Sequence, residues 1–284
     1  MLLTKMVKTM ATVTFETKVY EQDWEFILIG NYLSRMINNC DYNFQKRTLI
    51  INNVNNPTLV AKYAQKKVDQ GVIDAFYIVD EHIAEALKYF QLTREDLGKG
   101  YYYSSAEIVG LYLCKTDFLC HFSSDSILIP NRANWLRESI EMFNQNNKIL
   151  VSNPLWGEVF LSNSLIDNKS FHFSDAGLSD QCYLLSMKKV KKDFLIYHHP
   201  EGDKLYPNYG GELFEKRVFS FMKYHDVFRI TAIHSYYKHQ NFSKNILSKF
   251  FHRVTFGKFL HYRFEFWTFF KKPVKFLDNL ICFH

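Results

Sequence analysis

The sequence predicts an α/β fold, a mostly parallel sheet with helices on both faces, and three observations carry the expectation. Short β-branched or apolar runs alternate with stretches of helical period through roughly the first 150 residues. Turn residues separate them, notably Asn55-Asn56-Pro57, Gly71, Gly98 and Gly100. With 284 residues, 47% of them hydrophobic, the chain is long enough for one large domain with an appendage.

Residues 11–15 (ATVTF) are short and β-branched and read as the first strand. Residues 21–39 follow with Trp24, Ile27, Leu28, Tyr32, Met36 and Ile37 at helical spacing. Residues 48–52 are the second strand, and Pro57 opens a helix over 58–70 that Gly71 caps. Residues 74–79 form a third strand and 81–90 a short helix. A helix over 101–114 feeds a fourth strand, 117–122; a helix over 134–144 and a strand from 149 complete this half. Residues 152–243 are interrupted by turn clusters and read as short strands, loops and one helix near 212–225, extending the same sheet.

Ligands of such sheets bind beyond the carboxyl ends of the strands. The residues that follow the strands are therefore the candidates: Glu16 and Thr17, Asn53, Asp80, and Ser123, Ser124 and Asp125.

The net charge of +6 is local. Residues 244–284 hold eight Lys or Arg against two acids, so the rest of the chain is neutral. The same segment is dense in Phe, Tyr and Trp. A basic, aromatic, helical tail of this kind suits an anionic membrane surface, with packing on the domain as the competing reading. A nucleic-acid binder would spread its charge over the folded face, so no nucleic-acid partner is expected. No run of 18 apolar residues predicts a transmembrane helix, and no signal peptide is expected. Five cysteines at irregular spacing suit free thiols in a reduced compartment better than disulfides or zinc.

The segment CKTDFLCHFSSDSIL (114–128) is a buried strand ending in a small polar turn at Asp125, preceded by the Gly- and Ala-containing helix GYYYSSAEIVGLYL (100–113). This order resembles the GT-A glycosyltransferases, particularly the family 2 group, in which a strand ends in Asp-x-Asp. The resemblance covers residues 11–235 as an order of elements and 117–128 as a motif, with Ser123 standing where the first Asp would be. It implies a GT-A-like, Rossmann-type domain over residues 1–243, divided into a nucleotide-sugar half (1–150) and an acceptor half (151–243), with a membrane-associating tail at 244–284.

The same resemblance implies the roles. Glu16, Thr17 and Asn53 or Asn55 would contact base and ribose, Tyr101 and Ser104 would open the donor-contacting helix, and Ser123, Ser124 and Asp125 would bind the nucleotide sugar, Ser123 through the ribose or a metal-bound water and Asp125 through the metal-diphosphate. A divalent metal, Mn²⁺ or Mg²⁺, would sit at Asp125, because such ions take oxygen ligands and offset charge on a leaving diphosphate. His234 in ITAIHSYYKH would complete that site. Glu212 in YPNYGGELFEKR, or else Glu215, would be the base that takes the acceptor proton. Trp156-Gly157-Glu158, Ser174-Asp175 and Asp180 are further candidates for the sugar pocket, whereas His198 and His199 read as structural.

The expected function is transfer of a sugar from a nucleotide diphosphate donor, UDP ahead of GDP, to a glycan or glycolipid hydroxyl with inversion, as in polysaccharide or lipopolysaccharide assembly. The expected place is cytoplasmic, peripheral on the inner face of a membrane. Two rivals remain: an inactive sugar-nucleotide-binding scaffold, which the missing first Asp allows, and a nucleotidyltransferase, against which the glycine-free first strand region TVTFETKVY argues.

Overall fold

A computed structural model describes residues 11–130, 134–156, 170–207, 209–240, 242 and 246–255. One sheet is built from β1 (Val13–Val19), β2 (Lys46–Ile51), β3 (Ala75–Ile78), β4 (Phe118–Phe122), β5 (Ser126–Leu128), β6 (Ile149–Trp156), β7 (Phe171–Ser174), β8 (Cys182–Ser186) and β9 (Phe228–His239). The helices are α1 (Trp24–Leu28), α2 (Tyr32–Asn38), α3 (Pro57–Asp69), α4 (Val79–Tyr89), α5 (Arg94–Leu97), α6 (Tyr101–Leu113), α7 (Trp135–Gln145), α8 (Gly202–Leu205), α9 (Phe214–His225) and α10 (Ile246–Val254).

The strands run in the order β3-β2-β1-β4-β8-β6-β9-β5, and β7 also pairs with β9. β3, β2, β1 and β4 are parallel neighbours, and β6 lies parallel to β9. β8 is inserted antiparallel between β4 and β6, while β5 and β7 run antiparallel along β9. Six of the nine described strands thus point one way, which is the mostly parallel α/β sheet that the alternation predicts.

Strand alternation divides the apolar residues between two cores. Val13, Phe15, Val19, Leu49, Cys120, Phe122 and Leu184 face one side, covered by α1, α2, α3 and α7 through Ile27, Leu33, Val60 and Trp135. Ile50, Leu119, Tyr183 and Leu185 face the other, covered by α4, α6 and α9 through Ile83, Val109, Phe214 and Val218. Cys40, Cys120 and Cys182 are buried free thiols.

Two predicted elements differ. The helix expected over 21–39 is split into α1 and α2 at Gly30, whose φ of +88° no helix accommodates. The first strand runs on to Val19, because Thr17 and Val19 continue the inward alternation begun by Val13 and Phe15. In the tail, α10 packs on α1: His252 is buried with Nε2 near the carbonyls of Glu25 and Ile29 (3.1 and 3.0 Å), and Arg253 pairs with Glu25. Residues 256–284 lie outside the described residues. Among those described, no helix is long and apolar enough to cross a membrane.

The close approach of α6 to β1 depends on Gly110, where a β-carbon would overlap the Glu16 carboxylate. Gly110→Ala is therefore expected to cost about 1–3 kcal/mol in a denaturant melt, the range for forcing an extra methyl into a packed interior. An unchanged midpoint would show that α6 moves away at no cost.

Candidate functional site

The carboxyl ends of β1, β2 and β4 lie side by side, so the loops that follow them meet at one edge of the sheet. After β1, Tyr20 N–H donates to Asp23 Oδ1 (2.8 Å) and Glu21 N–H donates to the Asn53 carbonyl (3.2 Å). After β2, Asn53 takes a left-handed φ of +49° and its Nδ2 donates to the Tyr102 carbonyl at the start of α6 (2.9 Å). After β4, residues 123–126 form a tight turn closed by Ser126 N–H to the Ser123 carbonyl (3.0 Å).

That turn presents a carboxylate. Asp125 Oδ1 lies 3.0 Å from His239 Nε2 at the end of β9 and 3.4 Å from Ser123 Oγ. The antiparallel β5–β9 register, with Ser126 opposite His239, brings the histidine to this point. Ser123 Oγ also shares a 2.8 Å hydrogen bond with Ser126 Oγ, and the neighbouring Ser124 hydroxyl donates to buried Asp23. Burial pushes the Asp23 carboxyl up to about 7, against the Ser124 and Tyr20 hydrogen bonds that pull it down, and the Asp125 charge adds to the rise.

A second group of ionisable residues lies at the same end of the sheet, on the face covered by α6 and α9. Lys18, the penultimate residue of β1, forms an ion pair with buried Glu107 of α6. Desolvation alone would lower its pKa, but Glu107, Asp180 and Glu215 together hold the ammonium above its ordinary value. Asp180 precedes β8, next to Gln181, whose carbonyl accepts Ser123 N–H (2.8 Å). Glu215 stands in the first turn of α9. Burial first and the Asp180 charge second push its carboxyl up to about 8. Beneath this group, His121 Nδ1 and Glu16 Oε1 are 2.9 Å apart, and the His121 ring stacks on Tyr183 (4.9 Å, 17°). Burial drives the Glu16 carboxyl up and the His121 imidazole down, which favours two neutral partners.

The structure places the sequence candidates unevenly. Ser123, Ser124 and Asp125 come together at the strand ends, with Asn53 at the same mouth. Glu16 and Thr17 do not follow a strand: both are buried within β1, Glu16 on His121 and Thr17 in the opposite core. Tyr101 packs its ring under the Arg94 guanidinium (4.7 Å). Ser104 is buried and its Oγ accepts Phe214 N–H (2.8 Å), so it ties α6 to α9. The first turn of α6 is not a row of free N–H groups, since Tyr101, Tyr103 and Ser104 donate to the carbonyls of Gly98 and Gly100.

His239, rather than His234, meets Asp125; His234 is exposed, between buried Ile233 and Ser235 of β9 and beside a register shift. Glu212 precedes α9 and is turned onto His198 Nδ1 (3.5 Å) and Arg217 Nε (3.3 Å), which leaves Glu215 as the glutamate beside Asp180 and Lys18. His198, read as structural, joins Asp203 and Glu212 in a surface cluster. Asn55 N–H donates to Glu21 Oε2 (2.8 Å), and Asp175 forms a surface pair with Lys223 (2.7 Å). Trp156 ends β6 and is exposed, whereas Gly157 and Glu158 lie outside the described residues. Asp23, Lys18, Glu107 and His239 are additions that the sequence reading did not single out.

Two donor sets invite a divalent cation. Among the described residues, His198, Asp203 and Glu212 form the cluster with three potential ligands. Its carboxylates already face Lys216 Nζ (2.9 Å from Asp203) and Arg217, which offset their charge. Asp125 and His239 offer one oxygen and one nitrogen, a partial set that suits Mn²⁺ or Mg²⁺ when phosphate and water supply the rest.

No protein-family model matches the chain, and no curated protein matches it. Among solved structures, it is similar to GalNAc-T7 crystallised with UDP, GalNAc and Mn²⁺, at 11% identity and a TM-score of 0.47 over 88% of this chain and 48% of that one. It is also similar to S. aureus TarS, at 10% identity and a TM-score of 0.41 over 79% of this chain and 36% of that one. The chain thus spans less than half the length of either.

The raised Glu215 carboxyl has a sign that a melt can read. It binds its proton more tightly when folded, so its contribution to stability is full below the unfolded value of 4.5 and is lost as pH rises through about 8. Glu215→Gln is expected to melt close to wild type at about pH 5 and above it at about pH 9. The same difference at both pH values would show that Glu215 is not held in this environment.

Proposed function

We propose that the protein is a glycosyltransferase of the GT-A type, moving a sugar from a nucleoside diphosphate donor to a hydroxyl of a glycan or glycolipid with inversion. The observation that supports it most is the Asp125–His239 pair (3.0 Å) at the carboxyl ends of the strands, with Glu215, Asp180 and Lys18 gathered at the same edge. Catalysis of this transfer needs charge compensation at the leaving diphosphate and a base at the attacking hydroxyl, and the two groups supply one each.

In this reading Tyr20 and Asn53 line the nucleobase, with UDP ahead of GDP. Ser123 hydrogen-bonds Asp125 and, through Ser126, keeps the turn closed. Asp125 and His239 would hold the divalent cation, Mn²⁺ or Mg²⁺, whose charge offsets that of the departing diphosphate. Glu215 accepts the proton of the acceptor hydroxyl as that oxygen bonds to the anomeric carbon and the bond to the diphosphate breaks. Its carboxyl, raised to about 8, is basic enough for the task, and turnover should rise with pH toward that value. Lys18, pinned by Glu107, limits the repulsion between Glu215 and Asp180.

The tail is assigned to an anionic membrane surface, which would hold the enzyme on the cytoplasmic face. Its charge supports this, as does α10, whose Phe250 and Val254 are each more than half exposed. Each Lys or Arg near such a surface contributes about 1 kcal/mol. Lys271→Glu combined with Lys272→Glu is expected to lower sedimentation with phosphatidylserine vesicles by about tenfold or more, with no change on neutral vesicles. Equal sedimentation of both proteins would remove the membrane assignment.

The enzymatic reading is tested with UDP- and GDP-sugars in the presence of Mn²⁺. Asp125→Asn, His239→Ala and Glu215→Gln are each expected to slow donor consumption about a hundredfold, the usual size of a lost base or charge-stabilising group. If all three retain wild-type turnover, the site lies elsewhere. A folded wild type that is neither stabilised by any nucleotide nor active would instead be a scaffold.

A further inference from the structure

Three tyrosines stand at the mouth of the site, and the transfer chemistry uses none of them. Tyr102 and Tyr103 lie in the first turn of α6, and Tyr209 lies in the loop that leads to α9. Each is about half exposed (50%, 49% and 49%), and Tyr103 touches both of the others. Tyr209 lies against Tyr103 with centroids 4.8 Å apart and planes tilted by 33°, and Tyr102 meets Tyr103 edge-on at 5.1 Å and 79°. The rings form a stepped aromatic corner. Among the described residues, none of their hydroxyls makes a hydrogen bond.

The backbone beneath them is built to bring them together. The loops before α6 and α9 cross in direct contact: Gly98 bridges Gly211, Glu212 N–H donates to the Leu97 carbonyl (3.0 Å) and Lys99 N–H to the Gly210 carbonyl (3.4 Å). A β-carbon on Gly100 would overlap the Glu212 carbonyl, and one on Gly211 would overlap the Leu97 carbonyl and the Lys99 and Gly100 amides. Only glycine permits so close a crossing. Two sequence-distant tyrosines are thereby held as neighbours, each about half exposed.

We propose that Tyr103 and Tyr209, edged by Tyr102, form a stacking subsite for a pyranose ring of an extended glycan acceptor. Aromatic faces with a polar rim match a sugar, whose C–H faces are apolar and whose equator is hydroxylated. The subsite belongs to the acceptor side because Tyr209 opens the segment that runs through Gly210, Gly211 and Glu212 into the turn of Glu215. Asn53, the polar group suited to a base edge, is engaged at Tyr102, on the other flank. The assignment rests on the transferase reading for its acceptor but not for its sugar chemistry.

The test uses cellohexaose, maltohexaose, laminarihexaose and chitohexaose in saturation-transfer NMR, with UDP thermal shift in parallel. Wild type is expected to saturate C–H protons of at least one of these oligosaccharides. Tyr103→Ala and Tyr209→Ala should each weaken that binding about fivefold, the size of one lost aromatic stack, while Tyr103→Phe retains it. The UDP shift should be the same in all four proteins. Oligosaccharide binding that survives both alanine variants overturns the subsite, as does failure of all four oligosaccharides to bind a protein that UDP stabilises. Tyrosine-dependent sugar binding without any UDP shift supports the subsite and overturns the nucleotide-sugar donor instead.

Discussion

A lysine on a central strand can be partly covered by a helix only where a carboxylate meets it, and the Lys18–Glu107 pair is the interaction on which the site depends. β1 lies between β2 and β4, so a charge at its carboxyl end faces α6 whatever its side chain prefers. Glu107 answers it from the middle of α6, and Gly110, one turn later, lets the helix come down onto Glu16. Removing Glu107 would strip the Lys18 ammonium of its ion-pair partner and leave it to the charges of Asp180 and Glu215, and removing Lys18 would leave three carboxylates facing one another. The pair fixes the depth of α6, and with it the height at which the first turn of that helix meets the strand ends.

From this seat the rest of the site follows. Ser104, one turn before Glu107, accepts the Phe214 amide and sets the start of α9, so Glu215 is delivered to the same charge cluster. The antiparallel insertion of β8 carries Asp180 to the carboxyl end of β4, and the β5–β9 pairing carries His239 to Asp125. Two environments result within one edge of the sheet. Asp125 and His239 stay partly open to water, whereas Glu215 is desolvated and basic. That division suits a reaction with separate demands at the leaving group and the nucleophile.

Much of the fold was legible in the sequence, because alternation and helical period are local properties. The strands at β2, β3 and β4 and the helices at α3, α4, α6, α7 and α9 lie close to where those periods put them. The turn at Ser123, Ser124 and Asp125 was legible for the same reason, as it ends a strongly apolar strand. The end of β1 was not, because Glu16 and Lys18 interrupt the hydrophobic pattern, and the burial of one and the partial covering of the other depend on partners on β4 and α6. His234 and His239 share one strand, and only a register shift between β6 and β9 together with pairing to β5 decides which reaches Asp125. Glu212 and Glu215 are likewise sorted by their partners, His198 and Arg217 for the one and the sequence-remote Asp180 and Lys18 for the other.

The central claim is that the chemistry sits at Asp125 and His239 and not at the other cluster of metal-capable side chains. The most direct measurement is an anomalous difference map at the manganese edge from a crystal of the whole chain grown with UDP and Mn²⁺. One strong peak is expected within coordination distance of Asp125 and His239, with the diphosphate beside it. A peak at His198, Asp203 and Glu212, with none at Asp125, would contradict that claim.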